Sequence, residues 1–192
     1  MQRTAVAPHT TAHFPRGMAN AWITRRWYYT PKSHRAYSVR PISPGDRRLL
    51  AEFVLGLSRA APEREQPAIR AITSMLFDHV IPGTSEPQQA LGYAALESTA
   101  AGDRIIGAAT YTLTDNGAEF CIAVAGSYRD EQVGRTLLSA LMRQARRAGV
   151  ARLCGEMLWA NRPMQMLAMS LGFVVEPVPS DRNLRRLVLT LK

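Results

Sequence analysis

The chain has 192 residues, of which 46% are hydrophobic and 20% charged, and its formal net charge is +9. This composition can bury a core, so a chain that is disordered throughout is excluded, and the length suits one domain with a tail. Two cysteines and four histidines without zinc-type spacing predict neither a disulfide framework nor a bound metal. The longest apolar stretches fall short of the roughly 18 residues of a membrane span, so we expect a soluble, cytoplasmic protein without a membrane partner.

The positive charge is concentrated at the start of the chain. Residues 1–45 contain seven Lys or Arg and no acidic residue, whereas the rest of the chain has 17 basic against 15 acidic residues. A body so close to neutral is typical of an ordinary globular surface. Nucleic acid is therefore not expected as a partner.

Residues 1–36 lack sustained apolar periodicity and contain several Pro and Gly, which predicts a basic extension outside a domain at 37–192. Its aromatic residues, Trp22, Trp27, Tyr28 and Tyr29, lie beside Arg25 and Arg26. They leave two interpretations open, stacking on nucleic acid or packing on the domain itself or on a second subunit of a homodimer. We favour packing.

Within the domain, a strand is expected at 37–42, followed by a helix that starts at Ser43-Pro44-Gly45-Asp46 and runs to about residue 58. A second helix follows Pro67. Strand-like runs at 90–97, 104–113 and 119–124 come next, and Asp115-Asn116-Gly117 predicts a hairpin between the last two. The helical period then returns from about 132 to Gly149, followed by a strand at 151–158, a helix at 163–171 and a final strand at 187–191.

One loop of this pattern is suited to chemistry. Residues 125–131 connect a strand to the N-terminus of a helix, where unpaired backbone N–H groups and the helix dipole both favour an anion. Arg129 and Arg135 would add positive charge, and Gly134 removes a side chain where a ligand could approach the helix.

The stretch from Glu119 to Phe173 resembles the core of the GCN5-related N-acetyltransferase (GNAT) superfamily, and the order of elements extends the likeness across 37–192. The resemblance implies an α/β (α+β) fold with a mixed, mostly antiparallel sheet flanked by helices. In that family the loop reads R/Q-x-x-G-x-G/A, and its amides hold the pyrophosphate of acetyl-CoA. Here the run is Arg129, Asp130, Glu131, Gln132, Val133 and Gly134, so Gln132 replaces the first glycine.

The resemblance also implies that Ile122, Ala123 and Val124 pair with the pantetheine arm and that Asn161 contacts the cofactor from the far side. Ala168 stands where many members place a tyrosine general acid. The chain is most similar to bacterial protein-lysine acetyltransferases, whose E-F-x-x-x-V strand carries a glutamate base, matched here by Glu119.

Glu119 also suits the chemistry, because an amine acceptor arrives protonated and must lose a proton before it attacks a thioester. Strand alternation places Glu119 on one face with the small residues Cys121 and Ala123. Glu156 on the neighbouring strand is the other candidate. Cys121 and Cys154 are expected to be buried, inert thiols.

The sequence therefore predicts an acetyl-CoA-dependent N-acetyltransferase that acts by direct attack in a ternary complex and uses no metal. The acceptor would be a primary amine, either a protein lysine or a small molecule. The alternative is an acyl-CoA-binding sensor that has lost catalysis, which Gln132 and Ala168 suggest. The sequence alone leaves the two open.

Overall fold

The computed structural model describes residues 26–29, 35–81, 90–129 and 132–191. Within them one mixed sheet has eight strands in the order β1-β2-β3-β4-β5-β6-β8-β7. The strands are β1 (Arg26–Tyr29), β2 (Ala36–Pro41), β3 (Ala90–Thr99), β4 (Gly102–Thr114), β5 (Gly117–Val124), β6 (Arg152–Leu158), β7 (Val174–Val178) and β8 (Asp181–Thr190). The helices are α1 (Arg47–Ala60), α2 (Gln66–Ser74, continued by π-helical turns over Met75–Val80), α3 (Val133–Arg147) and α4 (Arg162–Ser170).

Only one pair of neighbouring strands is parallel. β5 and β6 run in the same direction, and every other neighbouring pair in the described sheet is antiparallel. The connection between β5 and β6 is α3, as a parallel pair requires a crossover. β8 follows β7 in the chain yet lies between β6 and β7.

The two faces of the sheet bury separate cores. On one face, α1 and α2 contribute Leu50, Phe53 and Leu76 to a cluster with residues of β3 and β4. On the other, α3 packs Leu137, Leu138 and Leu141 against the sheet, and α4 adds Ala168. The apolar stripes of α1, α2 and α3 that the sequence showed are the faces buried here.

The start of α1 is fixed by a buried carboxylate. The Asp46 carboxylate accepts two hydrogen bonds of 2.7 Å from Arg40, and it also accepts from the backbone N–H and the hydroxyl of Ser43. Burial raises the pKa of Asp46, but the hydrogen bonds from Arg40 and Ser43 outweigh it and hold that pKa below its ordinary value. Ser43 and Asp46 together form a capping box at the start of this helical region.

The ends of the later helices follow the sequence signals. Gly149 after α3 and Gly172 after α4 have φ values of 73° and 90°, the left-handed conformation that favours glycine at a helix C-terminus. Among the described residues, no helix is both long and apolar enough to cross a membrane.

Two strands were not predicted. β1 lies within the expected extension and pairs with β2, so the sheet begins before the boundary drawn at residue 36. Tyr28 stacks on Tyr37 with ring centroids 5.5 Å apart, so this aromatic packs on its own domain. A four-residue strand has too few positions to show alternation, and β7 was obscured by Pro177. Residues 1–25 and 30–34, including Trp22 and Arg25, lie outside the described residues.

Candidate functional site

The parallel strands β5 and β6 pair only at their starts. The register joins Ala118 to Leu153 and Glu119 to Cys154, and no further pair follows among the described residues. β5 nevertheless stays paired with β4 as far as Val124. Beyond Glu119, the β6 side of β5 therefore has no paired strand, and its outward N–H and C=O groups are available to an extended ligand. The residues predicted to meet the pantetheine arm lie along this edge: Ile122, Ala123 and Val124.

Two glycines allow close packing at the point where the pairing of β5 with β6 ends. A Cβ at Gly155 on β6 would lie 2.6 Å from the Phe120 ring, so the absence of a side chain lets that ring pack over β6. Gly117, with a φ of 138°, brings the start of β5 against the backbone of Arg152. The separation of the two strands therefore starts from a closely packed point.

Glu119 lies at that point. It is the last residue of β5 paired with β6, its side chain is exposed, and it forms no hydrogen bond or ion pair with the described residues. Its face of β5 also carries Cys121 and Ala123, which pack towards the α1 and α2 core, as the alternation predicted.

Glu156, the second predicted carboxylate, is already engaged. Its Oε1 lies 3.0 Å from a guanidinium nitrogen of Arg186 on β8, directly across the strand pair. Both side chains are about half exposed, so water screens this ion pair and it contributes little to stability. Of the two carboxylates, Glu119 is the one without a basic partner in hydrogen-bond contact.

The charges of both carboxylates affect the pKa of the Cys121 thiol. Burial, followed by the charges of Glu119 and Glu156, raises the pKa of the Cys121 thiol to about 11. The thiol therefore stays protonated at neutral pH, and it is not a nucleophile there. Glu119 pairs with Cys154, and Glu156 lies two residues further along β6, so both predicted carboxylates lie on the same face of the sheet.

Thr112 is a polar residue of this site that the sequence did not single out. It pairs with Glu119 across β4 and β5, which places both side chains on one face. Its Oγ1 is buried and has no hydrogen-bond partner within the described residues. A buried hydroxyl without a partner beside an open carboxylate fits a place where a polar ligand or water binds. Nothing in the one-dimensional pattern marks Thr112 apart from other strand threonines.

At the other end of β5, the predicted anion loop starts with a 3₁₀ turn over Gly126–Tyr128. Gln132 precedes α3 and has a φ of 61°, in the left-handed region. Glycine adopts this conformation without strain, whereas for glutamine it costs about 1 kcal/mol. The backbone conformation therefore explains why a glycine is expected at this position, and Gln132 adopts the same conformation. Asp130 and Glu131, the central residues of the predicted loop, lie outside the described residues.

The first backbone N–H groups of α3 have no acceptor among the described residues. The first backbone hydrogen bond of this region joins the N–H of Thr136 to the C=O of Gln132 at 3.0 Å. The N–H groups of Val133, Gly134 and Arg135 therefore have no acceptor within the helix, which is the arrangement that binds anions. The Val133 side chain is buried in the core.

Gly134 also forms a packing contact between helices. It is buried, and a Cβ there would lie 3.3 Å from Leu167 of α4 and 3.7 Å from Val124. The missing side chain thus lets α3 approach α4, and the space beside it is filled by protein.

The two arginines predicted to bind phosphate both have protein partners. Arg129 lies 3.1 Å from Glu65, in the turn before α2, and Arg135 donates to the Ser170 hydroxyl at the end of α4. Both side chains are exposed, so a ligand could displace these contacts at small cost.

Asn161 and Ala168 lie on α4 and its cap. The Asn161 side-chain oxygen accepts the backbone N–H of Met164 at 3.2 Å, so this residue caps the helix. Ala168 is fully buried, and its carbonyl accepts the N–H groups of Leu171 and Phe173. A methyl group there supplies no acid.

A buried tyrosine anchors the loop, and the sequence analysis missed it. The Tyr128 hydroxyl, in a side chain that is 2% exposed, donates to Glu97 at 2.7 Å. It accepts from Arg104 at 2.8 Å and from Arg35 at 3.0 Å. A tyrosine beside a basic motif could have signalled an anchor, but its partners lie on β3 and β4 and in the segment before β2, far away in sequence.

The described residues thus combine an open strand edge on β5 with a helix N-terminus suited to an anion. A sequence profile described as the Acetyltransferase (GNAT) family matches residues 61–173, more than half of the chain. The chain therefore belongs to the GNAT family and is an acetyltransferase.

Solved structures share this fold at low sequence identity. The GNAT domain of PAT from S. lividans is 20% identical, with a TM-score of 0.61 over 87% of this chain and 97% of that one. The ribosomal-protein-S18-alanine N-acetyltransferase from Escherichia coli is 19% identical, with a TM-score of 0.57 over 81% and 94%. A cAMP-binding acyltransferase from Mycobacterium smegmatis is 20% identical (TM-score 0.57), covering 90% of this chain but 48% of its own. A sequence search of curated proteins finds no match.

Proposed function

We propose that this acetyltransferase transfers an acetyl group from acetyl-CoA to a primary amine by direct attack in a ternary complex, with Glu119 as the general base. The observation that carries the proposal is the position of Glu119, which is exposed and has no ion pair with the described residues, at the point where the pairing of β5 with β6 ends. An extended thioester arm along the open edge of β5 would therefore start beside this residue.

The residues present fit the acetyl-CoA substrate. The unpaired edge of β5 offers backbone groups to the amides of the pantetheine arm, in the manner of an added strand. The free N–H groups at the start of α3 suit the pyrophosphate. About six residues of extended chain, roughly 20 Å, separate Glu119 from Ala125 at the loop, a length that an extended pantetheine arm can follow.

The reaction needs a base more than an acid. The ammonium of the acceptor gives a proton to Glu119, directly or through a water, and the neutral nitrogen then attacks the thioester carbonyl carbon. A C–N bond forms, the nitrogen that has attacked gives its second proton to solvent, the C–S bond breaks, and the thiolate of CoA leaves. Because Ala168 offers no proton, the thiolate takes its proton from solvent.

The thiol next to Glu119 favours direct attack over an acyl-enzyme. Cys121 has its pKa raised to about 11, by burial first and then by Glu119 and Glu156, so at neutral pH it lacks the thiolate that would form a thioester. Within the described residues no histidine accompanies it in an ion pair or hydrogen bond that could activate it.

The acceptor class follows from the open face around the base. Glu119, Glu156 and Arg186 face the same region with a net negative charge, which suits a cationic amine. The Escherichia coli neighbour takes, by its name, an alanine of ribosomal protein S18, which shows that this fold can accept a protein amine. We propose a protein lysine or a small primary amine for this chain.

The test has two stages. Calorimetry first measures the binding of acetyl-CoA to the full chain, and a thiol-release assay then follows turnover with lysine peptides and small amines. We expect binding and amine-dependent release of CoA. Absence of acetyl-CoA binding would contradict the proposal.

A second candidate, an acyl-CoA sensor without catalysis, is favoured by the strained Gln132 and the buried Ala168. It predicts tight acetyl-CoA binding with no turnover for any amine in the panel. Amine-dependent thiol release that Glu119→Gln abolishes would exclude the sensor.

A further inference from the structure

Residues just before and just after the loop that would hold the pyrophosphate contact one row of cross-strand neighbours in the sheet. Tyr37, Glu97 and Arg104 are cross-strand neighbours on β2, β3 and β4. Glu97 and Arg104 bind the Tyr128 hydroxyl, just before the loop. The Tyr37 hydroxyl lies 2.9 Å from the Thr136 hydroxyl, just after it.

The hydrogen bonds of the Tyr128 hydroxyl form a complete network. Its hydroxyl has one donor hydrogen and two lone pairs, and the structure uses all three, towards Glu97, Arg104 and Arg35. Arg104 also donates through Nε to the second Glu97 oxygen at 2.8 Å. Hydrogen bonds to ionised partners are about twice as strong as neutral ones.

The network is shielded from water at its centre. Tyr128 and Glu97 are 2% and 8% exposed, whereas the two arginines reach solvent. Burial raises the pKa of Glu97, but the hydrogen bonds from Tyr128 and Arg104 and the charges of Arg104 and Arg35 outweigh it and lower that pKa. Glu97 is thus an ionised acceptor at neutral pH.

The position of Tyr128 in the chain gives this network a function beyond stability. Arg129, the first residue of the motif that resembles the pyrophosphate loop, follows it directly, and the bond from Tyr128 fixes where the loop begins. Amides that are already oriented lose less entropy when an anion binds. On the other side of the motif, the contact of Tyr37 with Thr136 holds the first turn of α3, whose amides are the described part of the anion site.

We infer that Tyr128, acting through Glu97, is a positioning residue for the pyrophosphate end of acetyl-CoA. The inference rests on the proposed function, because it presumes that this loop receives the phosphates. It assigns Tyr128 no contact with the reacting atoms, so its loss weakens binding of the nucleotide end and leaves the thioester end unaffected.

The experiment compares two ligands. Acetyl-CoA carries the pyrophosphate, and S-acetylpantetheine keeps the thioester arm without it. Dissociation constants are measured by calorimetry for the first and by NMR titration for the second, with the full chain and its Tyr128→Phe variant. We expect the acetyl-CoA constant to rise about tenfold and the S-acetylpantetheine constant to stay within about twofold.

Two further variants show whether the effect passes through Glu97. Glu97→Gln alone should weaken acetyl-CoA in the same direction, and it gives the answer if Tyr128→Phe folds poorly. The double variant should lose less than the sum of the two single losses, because the bond between Tyr128 and Glu97 is removed by both changes. Tyr111→Phe, which removes another buried tyrosine hydroxyl from the sheet, is the control and should leave both constants unchanged.

The outcomes separate the inference from the proposed function. A parent protein that fails to bind acetyl-CoA contradicts both. If the parent binds acetyl-CoA and the Tyr128→Phe variant binds each ligand as tightly as the parent does, the inference alone is overturned. An equal loss for both ligands also overturns it, because that result indicates general destabilisation instead of positioning of the loop.

Discussion

The two ends of β5 are built differently. At its start, Glu119 is exposed and forms no ion pair within the part of the chain that the structure describes, and its neighbour Glu156 forms a half-exposed contact with Arg186. At its end, Tyr128 and Glu97 are buried in a network in which every hydrogen-bonding position of the phenol is used.

This difference separates binding from reaction. Anion binding gains from amides that are fixed before the ligand arrives, whereas proton transfer needs a carboxylate that can meet incoming amines. The same strand therefore carries a preorganised end and an accessible end, about 20 Å apart by the rise of an extended chain. Changes at one end should alter one property and leave the other.

The largest effect is expected at the accessible end. Glu119→Gln should lower kcat by about 100-fold, because the amine loses its proton acceptor, with the dissociation constant of acetyl-CoA unchanged. Steady-state thiol release and calorimetry measure the two quantities. Glu156→Gln is the matched comparison and should cost less than about fivefold. Equal losses in the two variants would remove Glu119 as the distinct base.

The junction where β5 leaves β6 should be sensitive to a single methyl group. Gly155→Ala would press a Cβ against the Phe120 ring, and overpacking of this kind costs about 2 kcal/mol in the free energy of unfolding. Urea denaturation measures it. Gly56→Ala is the control, because nothing lies within 4 Å of its Cβ, and it should stabilise α1 slightly. A Gly155→Ala variant as stable as the parent would contradict the close contact.

The preorganised end should depend on pH through Glu97. Its pKa lies below the ordinary value of 4.5, so its ionised form stabilises the fold above that pH and the contribution is lost as pH falls through the folded pKa. Glu97→Gln should cost about 1.5 kcal/mol at pH 7. The difference from the parent, measured by denaturation across pH, should shrink below about pH 4.5. A constant difference down to pH 3 would argue against an ionised Glu97.

The smallest effect concerns the connection between the loop and α2. Glu65 pairs with Arg129 at 3.1 Å and therefore competes with any phosphate for that guanidinium. Glu65→Gln should tighten acetyl-CoA binding about threefold, in keeping with the strength of an exposed ion pair. Calorimetry at low and high salt checks it, since the gain should fade as salt screens the pair. Weaker binding in the variant would show that the pair helps to hold the loop.

Much of the fold could be predicted because its signals are local. The apolar stripes of α1 and α3, the Asp115-Asn116-Gly117 turn and the glycines after α3 and α4 each depend on a few adjacent residues, and the structure contains all of them. β1 and β7 could not be predicted this way, because each is short and is stabilised by pairing with β2 or β8. The insertion of β8 between β6 and β7 is likewise a matter of tertiary pairing.

The candidate site could be predicted only where its residues lie within one continuous strand or loop. Glu119 was singled out by the resemblance to the family's E-F-x-x-x-V strand, its small neighbours on β5 by strand alternation, and the helix N-terminus by the return of the helical period. The interaction partners of the site residues could not be predicted, because Arg186, Glu65 and Glu97 are distant from them in sequence. Gly134 was placed correctly at the start of α3, yet its contact with Leu167 depends on how α4 packs.

The strand order has a consequence for the sequence of folding events. β6 lacks its antiparallel neighbour until β8 has been synthesised, although β7 precedes β8 in the chain. During synthesis, β2 to β5 can pair as each emerges, whereas Glu156 meets Arg186 only after residues 181–190 have left the ribosome. The half of the sheet beyond β5 should therefore be the last to acquire protection from hydrogen exchange.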